Sequence, residues 1–381
     1  MTALRTILTN TPYLTLALIF TTNSLLESTW IVYIPYITEK LNIGAALLGT
    51  ALFCKAVGAF SAMPFSPALI RILGEGRLTF ITAILFCLTI PLLVVMPNYW
   101  SLCLCLYFAG VFGGTMDISM NALVSKKEKE DGVYIMSATH GFWSLGGMVG
   151  ASTASFIAAS AIPPFWHIAI LSGLLILMQL FIARNYFHLT SNYVKTRMDF
   201  SKIKLPVILL ATICLVIMMG EGIIADWSSL YLKNVTLARA SLYGLGFAGF
   251  SAAMAFGRFN ADRISANFGA RTLIIGGFLI ALLGLLLVLT ATTAWTIPGF
   301  TIMGLGFSGI IPELFRLSAK IEGLTPAQGI TLVAGIGYFG FLIGPVAFGY
   351  IAEGFGLRMS FLGFWGVLVA CLGGFWMLGR S

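Results

Sequence analysis

The sequence predicts an all-α, polytopic membrane protein with twelve transmembrane helices arranged as two pseudo-symmetric six-helix bundles. Three observations carry that prediction. Twelve separate apolar stretches each approach or exceed the roughly 20 residues that a bilayer core demands. The 381 residues are 59% hydrophobic and only 9% charged, with a mean hydropathy of +0.96, which leaves no water-soluble domain. Finally, the second six stretches echo the first six at a displacement of about 194 residues. Backbone groups in lipid must be satisfied within the segment, so each stretch reads as a helix; a barrel would show short alternating strands instead.

Turn and charge punctuation sets the spans. The first, 12–37, carries Asn23, Glu27 and Trp30 and ends before Lys40; the second, 45–67, carries Lys55. Spans 78–97 and 101–124 follow the loop with Arg71 and Arg77, and the fourth holds Asp117 and Asn121. A basic run with Lys126, Lys127 and Lys129 precedes span 136–160, which holds His140 and Trp143; span 163–186 completes the first half. The polar connection from His188 to Lys204 carries five basic residues including His188 and reads as a linker, giving bundles 1–187 and 204–381 around the segment 188–203. Span 204–232 contains Glu221, Asp226 and Trp227. Spans 240–261 and 270–292 flank a loop with Asp262 and Arg263, with Arg258 and Arg271 in the span ends beside it. Span 295–319 contains Pro312, Glu313 and Arg316, and spans 327–352 and 357–379 close the chain. The first span is about twice the length of a signal-peptide core and no small-residue cleavage site follows it, so it is expected to be retained.

With the N-terminus in the cytoplasm, 17 Lys and Arg fall on the inside, four fall outside, and Lys55 lies within a span. The positive-inside rule therefore places both termini in the cytoplasm of a cell whose inner membrane holds the protein. On this reading the net charge of +8 reflects topology and anionic lipid, and nucleic acid is not an expected partner. The six cysteines all fall in predicted helices without a C-x-x-C pair, so they read as packing residues; neither a metal nor a cofactor is expected. Three G-x-G-x-x-G strings, at Gly244, Gly304 and Gly335, follow no strand and read as helix-packing surfaces.

The repeat is specific. Arg77 matches Arg271, Gly110 matches Gly304 and Lys126 matches Lys320, while Gly141, Gly146 and Gly150 match Gly335, Gly340 and Gly344. Two such bundles resemble the major facilitator superfamily over the whole chain, which implies a substrate site between the halves near the midplane. The local sign is Gly257-Arg258-Phe259-Asn260-Ala261-Asp262-Arg263 followed by Gly269-Ala270-Arg271, which resembles the superfamily's cytoplasmic loop motif. The resemblance implies that Arg258, Asp262, Arg263 and Arg271 latch the bundles in one state. The first half departs from the pattern, because Ala68 stands where Asp262 has its counterpart. The stretches from Asp117 to Asn121, His140 to Gly146 and Glu221 to Trp227 further resemble bacterial inner-membrane transporters related to the fucose:proton symporter.

Charges inside a bilayer cost about 2.5–3.5 kcal/mol each on insertion scales, so those retained face protein or water. Glu27 and Lys55 each lie about ten residues from the first external turn, at roughly 15 Å depth, where they can pair. Asn23 and Trp30 share Glu27's face. Asp117 has Asn121 one turn later, and His140 lies at similar depth. Asp226 stands nearer the external end than Glu221 and about 140° around the helix from it, so it is either a solvated rim residue or a binding one. Glu313 and Arg316 are spaced for an i,i+3 ion pair. Trp30, Trp143 and Trp227 either pack in the core or stack on a solute.

Together these residues predict a secondary transporter of a small polar solute, working by alternating access and coupled to protons. Glu27, Asp117 and Glu221 are the candidates for proton coupling. Asn23, Trp30, Asn121, His140, Trp143, Glu221, Asp226 and Trp227 are the candidates for solute binding. Efflux of drugs or metabolites by proton antiport is the alternative within the class, and a channel or membrane receptor the alternative outside it. No nucleophile–base constellation points to an enzyme, and nothing demands a second subunit, so a monomer is the default.

Overall fold

The computed structural model describes residues 3–189, 205–321, 324 and 326–378, and within them every regular element is a helix. The first half comprises α1 (Ala3–Thr9), α2 (Thr11–Leu41), α3 (Ala45–Ala62), α4 (Ser66–Leu73), α5 (Glu75–Leu93), α6 (Tyr99–Asp131), α7 (Met136–Ala158) and α8 (Pro164–Ile182). The second comprises α9 (Leu205–Asn234), α10 (Leu245–Phe268), α11 (Ala270–Leu289), α12 (Thr293–Phe307), α13 (Ile310–Ser318), α14 (Pro326–Phe355) and α15 (Leu357–Leu378). The expected linker falls almost wholly outside the described residues.

Ten of these segments are long and apolar enough to cross a membrane, against an expectation of twelve. The two expected spans that miss this standard are α2 and α7, of 31 and 23 residues. Their length suffices; their apolarity does not. α2 carries Thr21, Thr22, Asn23, Ser24 and Glu27, and α7 carries His140, Ser144 and Ser155, so both trade hydropathy for polar groups that face other helices.

Local chemistry explains the departures from the expected boundaries. α6 runs seven residues past its expected end because Lys126–Glu130 and Lys127–Asp131 pair at i,i+4 along the extension. Gly132 then ends it in a left-handed conformation. Glu128 folds back so that its Oε1 accepts from the backbone N–H groups of Ile135 and Met136 at 2.6 and 2.7 Å, satisfying donors at the start of α7. The expected span 295–319 is broken between α12 and α13. Pro312 accounts for this, because its ring clashes with the carbonyl four residues back, at Ser308.

The repeat seen in the sequence is also a repeat of contacts. A Cβ on Gly146 would strike the carbonyl oxygen of Thr21, and one on Gly340 would strike that of Leu215, a residue 194 positions beyond Thr21. A Cβ on Gly150 would strike the Leu25 carbonyl oxygen, and one on Gly344 the side chain of Met219, again 194 apart. These glycines let α7 lie against α2, and α14 against α9, backbone to backbone. Gly74 and Gly269, at equivalent turns, share φ 82° with ψ 156° and 155°, a region open only to glycine.

The halves meet along three helix pairs, α7 with α10, α3 with α14 and α2 with α9. We call the end of the bundle bearing the chain termini the terminal face, and the other the opposite face. On the opposite side of the molecule Glu39 pairs with Lys233, Ser229 Oγ donates to the Ile31 carbonyl at 3.0 Å, and Gly244 N donates to Ser155 Oγ at 2.6 Å. Ala46 N donates to Glu353 Oε2 at 3.2 Å. Trp100, Trp166 and Trp295 stand exposed near this face, each in the first turn of its helix.

Candidate functional site

Polar side chains from both halves form a column along their interface. With a rise of about 1.5 Å per residue, Lys55 lies about 15 Å from the opposite-face start of α3, Glu221 about 20 Å from the opposite-face end of α9, and Asp117 about 27 Å from the start of α6. The column therefore spans roughly 12 Å of depth.

At its upper end the Lys55 ammonium pairs with Glu27 of α2, and both side chains keep about a fifth of their surface, 24% and 19%. Asp226, from the other half, is a second carboxylate within electrostatic range of Lys55. One cation of the first half is thus shared by a carboxylate of each half. Asp226 is a partner in this cluster; it is not a solvated rim residue.

In the middle stands Arg258, which the sequence grouped with the terminal-face loop. The structure places it in the interior instead, because α10 continues as a helix to Phe268 and carries this position inward. Its Nη1 donates to Ser144 Oγ of the first half at 2.9 Å, and its Nη2 lies 3.8 Å from Glu221 Oε1. That oxygen is buried and accepts no hydrogen bond, so Arg258 balances Glu221 by charge alone. Five residues separate Glu221 from Asp226, and each faces a different cation, as the helical turn requires.

At the lower end Asn121 bridges two groups. Its Nδ2 donates to Asp117 Oδ1 at 3.2 Å and to the Asp117 carbonyl at 2.9 Å. Its Oδ1, 3.1 Å from His140 Nε2, therefore accepts from that ring nitrogen, which fixes where the imidazole carries its hydrogen. Asp117 and His140 meet through Asn121. Phe20 holds the imidazole edge-on at 5.1 Å, and Tyr338 of α14 lies within electrostatic range of both Asp117 and Glu221. Among the described residues no cation pairs with Asp117, which distinguishes it from Glu27 and Glu221.

The remaining candidates sort by burial. Asn23 and Trp143 join, with Trp143 Nε1 donating to Asn23 Oδ1 at 3.1 Å, and the Trp143 carbonyl accepts from Ser24. Trp143 is only partly buried and borders the column, whereas Trp30 and Trp227 are fully buried in the apolar core. Trp227 packs 5.3 Å from the Phe348 ring and also lines a cavity of about 380 Å³ toward the opposite face. Glu313 and Arg316 form the i,i+3 pair at 2.6 Å, and Arg316 also donates to Ser265 Oγ at 3.0 Å, tying α13 to α10 away from the column. Arg271 donates to the Trp376 carbonyl at 3.3 Å, and Arg77 stands 5.5 Å from the Phe187 ring, so each steadies the end of its own half. Arg263 is exposed, and the side chain of Asp262 lies outside the described residues.

Sequence reasoning missed Tyr338, Ser144 and the sharing of Lys55 with Asp226. Tyr338 sits in a run of glycine and aromatic residues that reads as packing, and a lone serine carries no signal. The column thus brings four carboxylates, two cations, an imidazole and amide groups together along the interface of the two halves.

Over residues 16–318 the chain matches the model of the Major Facilitator Superfamily. It is 30% identical over 369 residues to the uncharacterised transporter y4wD of Sinorhizobium fredii, covering 95% of this chain and 97% of that one. It is 29% identical to an uncharacterised MFS-type transporter of Yersinia pestis, covering 87% and 86%, and 29% identical to membrane protein MosC of Rhizobium meliloti, covering 95% and 89%. Among solved structures, a bacterial homologue of the human lysosomal transporter Spinster, inward-facing and occupied, superposes with a TM-score of 0.74 at 16% identity, covering 97% and 96%. The nucleoside transporter NupG gives 0.74 at 13%, covering 98% and 100%. A multi-pass helical chain with duplicated packing and a polar interface, matched over most of its length by this family's model, belongs to the Major Facilitator Superfamily, a family of transporters and not of enzymes.

Proposed function

We propose that the chain is a proton-coupled secondary transporter of a small polar solute, working by alternating access in the bacterial inner membrane with both termini in the cytoplasm. The carrying observation is the polar column, whose four carboxylates, Glu27, Asp117, Glu221 and Asp226, outnumber its two cations, Lys55 and Arg258. An excess of acid in a membrane interior is costly unless protons or a solute offset it. Asp117 is the carboxylate whose charge no cation balances, so it is the proton carrier. Asn121, Glu221, Asn23 and Trp143, all partly exposed, hold the solute through hydrogen bonds and one aromatic face.

On this reading α2 and α7 also cross the membrane, giving twelve spans in two bundles, 1–187 and 204–381. Glu39–Lys233 and Ser229–Ile31 join the halves at the periplasmic side, while Phe60 against Phe339 and Phe259 against Gly141 join them nearer the cytoplasmic side. Opening of the periplasmic side breaks Glu39–Lys233, and the terminal-face end of α10, which bears Asp262 and Arg263, then closes the other.

The resemblance to fucose:proton-type transporters favours uptake of a sugar-like solute. The test uses proteoliposomes with an entrapped pH-sensitive dye, to which sugars, nucleosides and amphipathic cations are added in turn. Internal acidification on adding a neutral hydroxyl-rich solute supports the proposal. Solute flux without proton movement contradicts it.

A further inference from the structure

We propose that a cavity at the terminal face, between α2, α6 and the end of α8, binds a phosphate ester, supplied either by the headgroup of an anionic phospholipid or by a soluble phosphate. The cavity has a volume of about 310 Å³ and is lined by Lys127, Arg184, Asn185 and His188 over an apolar floor that includes Pro12 and Leu16. That is about ten times the ~30 Å³ share of one water molecule in the liquid.

The lining is rich in donors and poor in acceptors. Lys127 is paired with Asp131 at 3.0 Å, and Asp131 is further occupied by Tyr13, whose hydroxyl donates to it at 2.7 Å. Asn185 Nδ2 is spent on Thr15 Oγ1 at 3.0 Å. Arg184 and His188 differ: among the described residues neither has a hydrogen bond or an ion pair. The Arg184 guanidinium rests 4.8 Å from the Phe181 ring, which fixes its plane without using its N–H groups. A guanidinium so held, with a lysine and an imidazole at the same cavity, matches the bidentate geometry of a phosphate.

The surroundings favour a lipid as the source. Leu177, Leu180 and Phe181 form an exposed apolar stripe on α8 leading away from the cavity, suited to an acyl chain. The face is also the one that the positive-inside rule assigns to the cytoplasmic leaflet, where basic pockets between helices meet anionic headgroups.

The test is thermal unfolding of the purified full chain in neutral detergent, titrated with phosphatidylglycerol, phosphatidylcholine, glycerol 3-phosphate or inorganic phosphate. Phosphatidylglycerol should raise Tm by several degrees while phosphatidylcholine does not, and the Arg184→Gln/His188→Gln double variant should bind at least ~10-fold more weakly. Both residues are exposed and outside the polar column, so the variant should fold; Arg184→Lys, which keeps the charge, should retain an intermediate response. Stabilisation by phosphatidylglycerol alone assigns the lipid. Equal stabilisation by glycerol 3-phosphate or inorganic phosphate assigns a soluble phosphate. Equal responses to phosphatidylglycerol and phosphatidylcholine without any response to the soluble phosphates, or a double variant that responds like the wild type, overturn the proposal.

Discussion

The two ends of the polar column hold charge in different ways. At the upper end Glu27 and Asp226 gather around Lys55, so carboxylates of both halves are balanced by one cation. At the lower end Asp117 is held by an amide, Asn121, which is itself braced by His140. An ion pair makes a carboxylate's charge part of the fold, whereas a neutral amide accepts the acid and its anion alike. The upper end thus joins the halves through charge, whereas the lower end holds its carboxylate through an amide of its own half.

Removing Lys55 should break this contrast most severely. Lys55→Met leaves two carboxylates facing one another, and loss of one partner from a buried pair costs about 3–5 kcal/mol. Water reaches about a fifth of both side chains, so a loss of about 1–3 kcal/mol is expected here, together with loss of transport. Adding Glu27→Gln should restore much of the stability, measured by thermal unfolding in detergent. A Lys55→Met protein as stable as wild type would make the upper cluster incidental.

Asp117→Asn should do the reverse. Its hydrogen bond from Asn121 is kept by the new amide oxygen, so stability should change by less than about 1 kcal/mol. Uphill uptake driven by a pH gradient should vanish while solute exchange at equal pH persists. Equal loss of both activities would reassign Asp117 to solute binding.

Trp143→Phe tests whether the Asn23–Trp143 bond serves the solute or the fold. Deleting the indole N–H removes a bond worth about 0.5–1.5 kcal/mol. An effect on apparent solute affinity of about 2- to 10-fold, with thermal stability nearly unchanged, places it at the site. The reverse pattern places it in the scaffold.

The smallest effect lies outside the membrane. The hydrogen bond from Tyr13, and then that from Lys127, hold the Asp131 carboxyl below its ordinary range. Its contribution to stability is therefore complete above the unfolded value of about 4 and lost as pH falls through the lower folded value. Asp131→Asn should lower stability slightly at neutral pH and leave it unchanged at the acid end, which flattens the acid limb of the stability profile.

Much of the scaffold was legible in the sequence because helix formation in lipid is a local requirement. Apolar length and turn residues placed most of the long helices to within a few residues, except where Glu128 and the lysine pairs prolong α6, where α10 runs seven residues past its expected end, or where Pro312 divides a span; the short helices α1 and α4 were not foreseen. The displacement of 194 residues also foretold which backbones touch, since glycine at a crossing leaves a periodic mark. The column was only partly legible. Depth follows from counting along one helix, which is why Glu27 and Lys55 were paired in advance. Azimuth and the approach of the two halves do not follow, so neither Asp226 beside Lys55 nor Tyr338 beside Asp117 was visible. Arg258 was misplaced for a related reason: a cation near a predicted helix end reads as a loop residue until a partner such as Glu221 is known to await it.

The most direct measurement is solute-dependent proton flux in proteoliposomes, comparing wild type with Asp117→Asn under an imposed pH gradient. Wild type should move protons with the solute and accumulate it, and the variant should equilibrate the solute without proton movement. Accumulation by the variant equal to that of wild type would contradict the assignment of the proton to the unpaired end of the column.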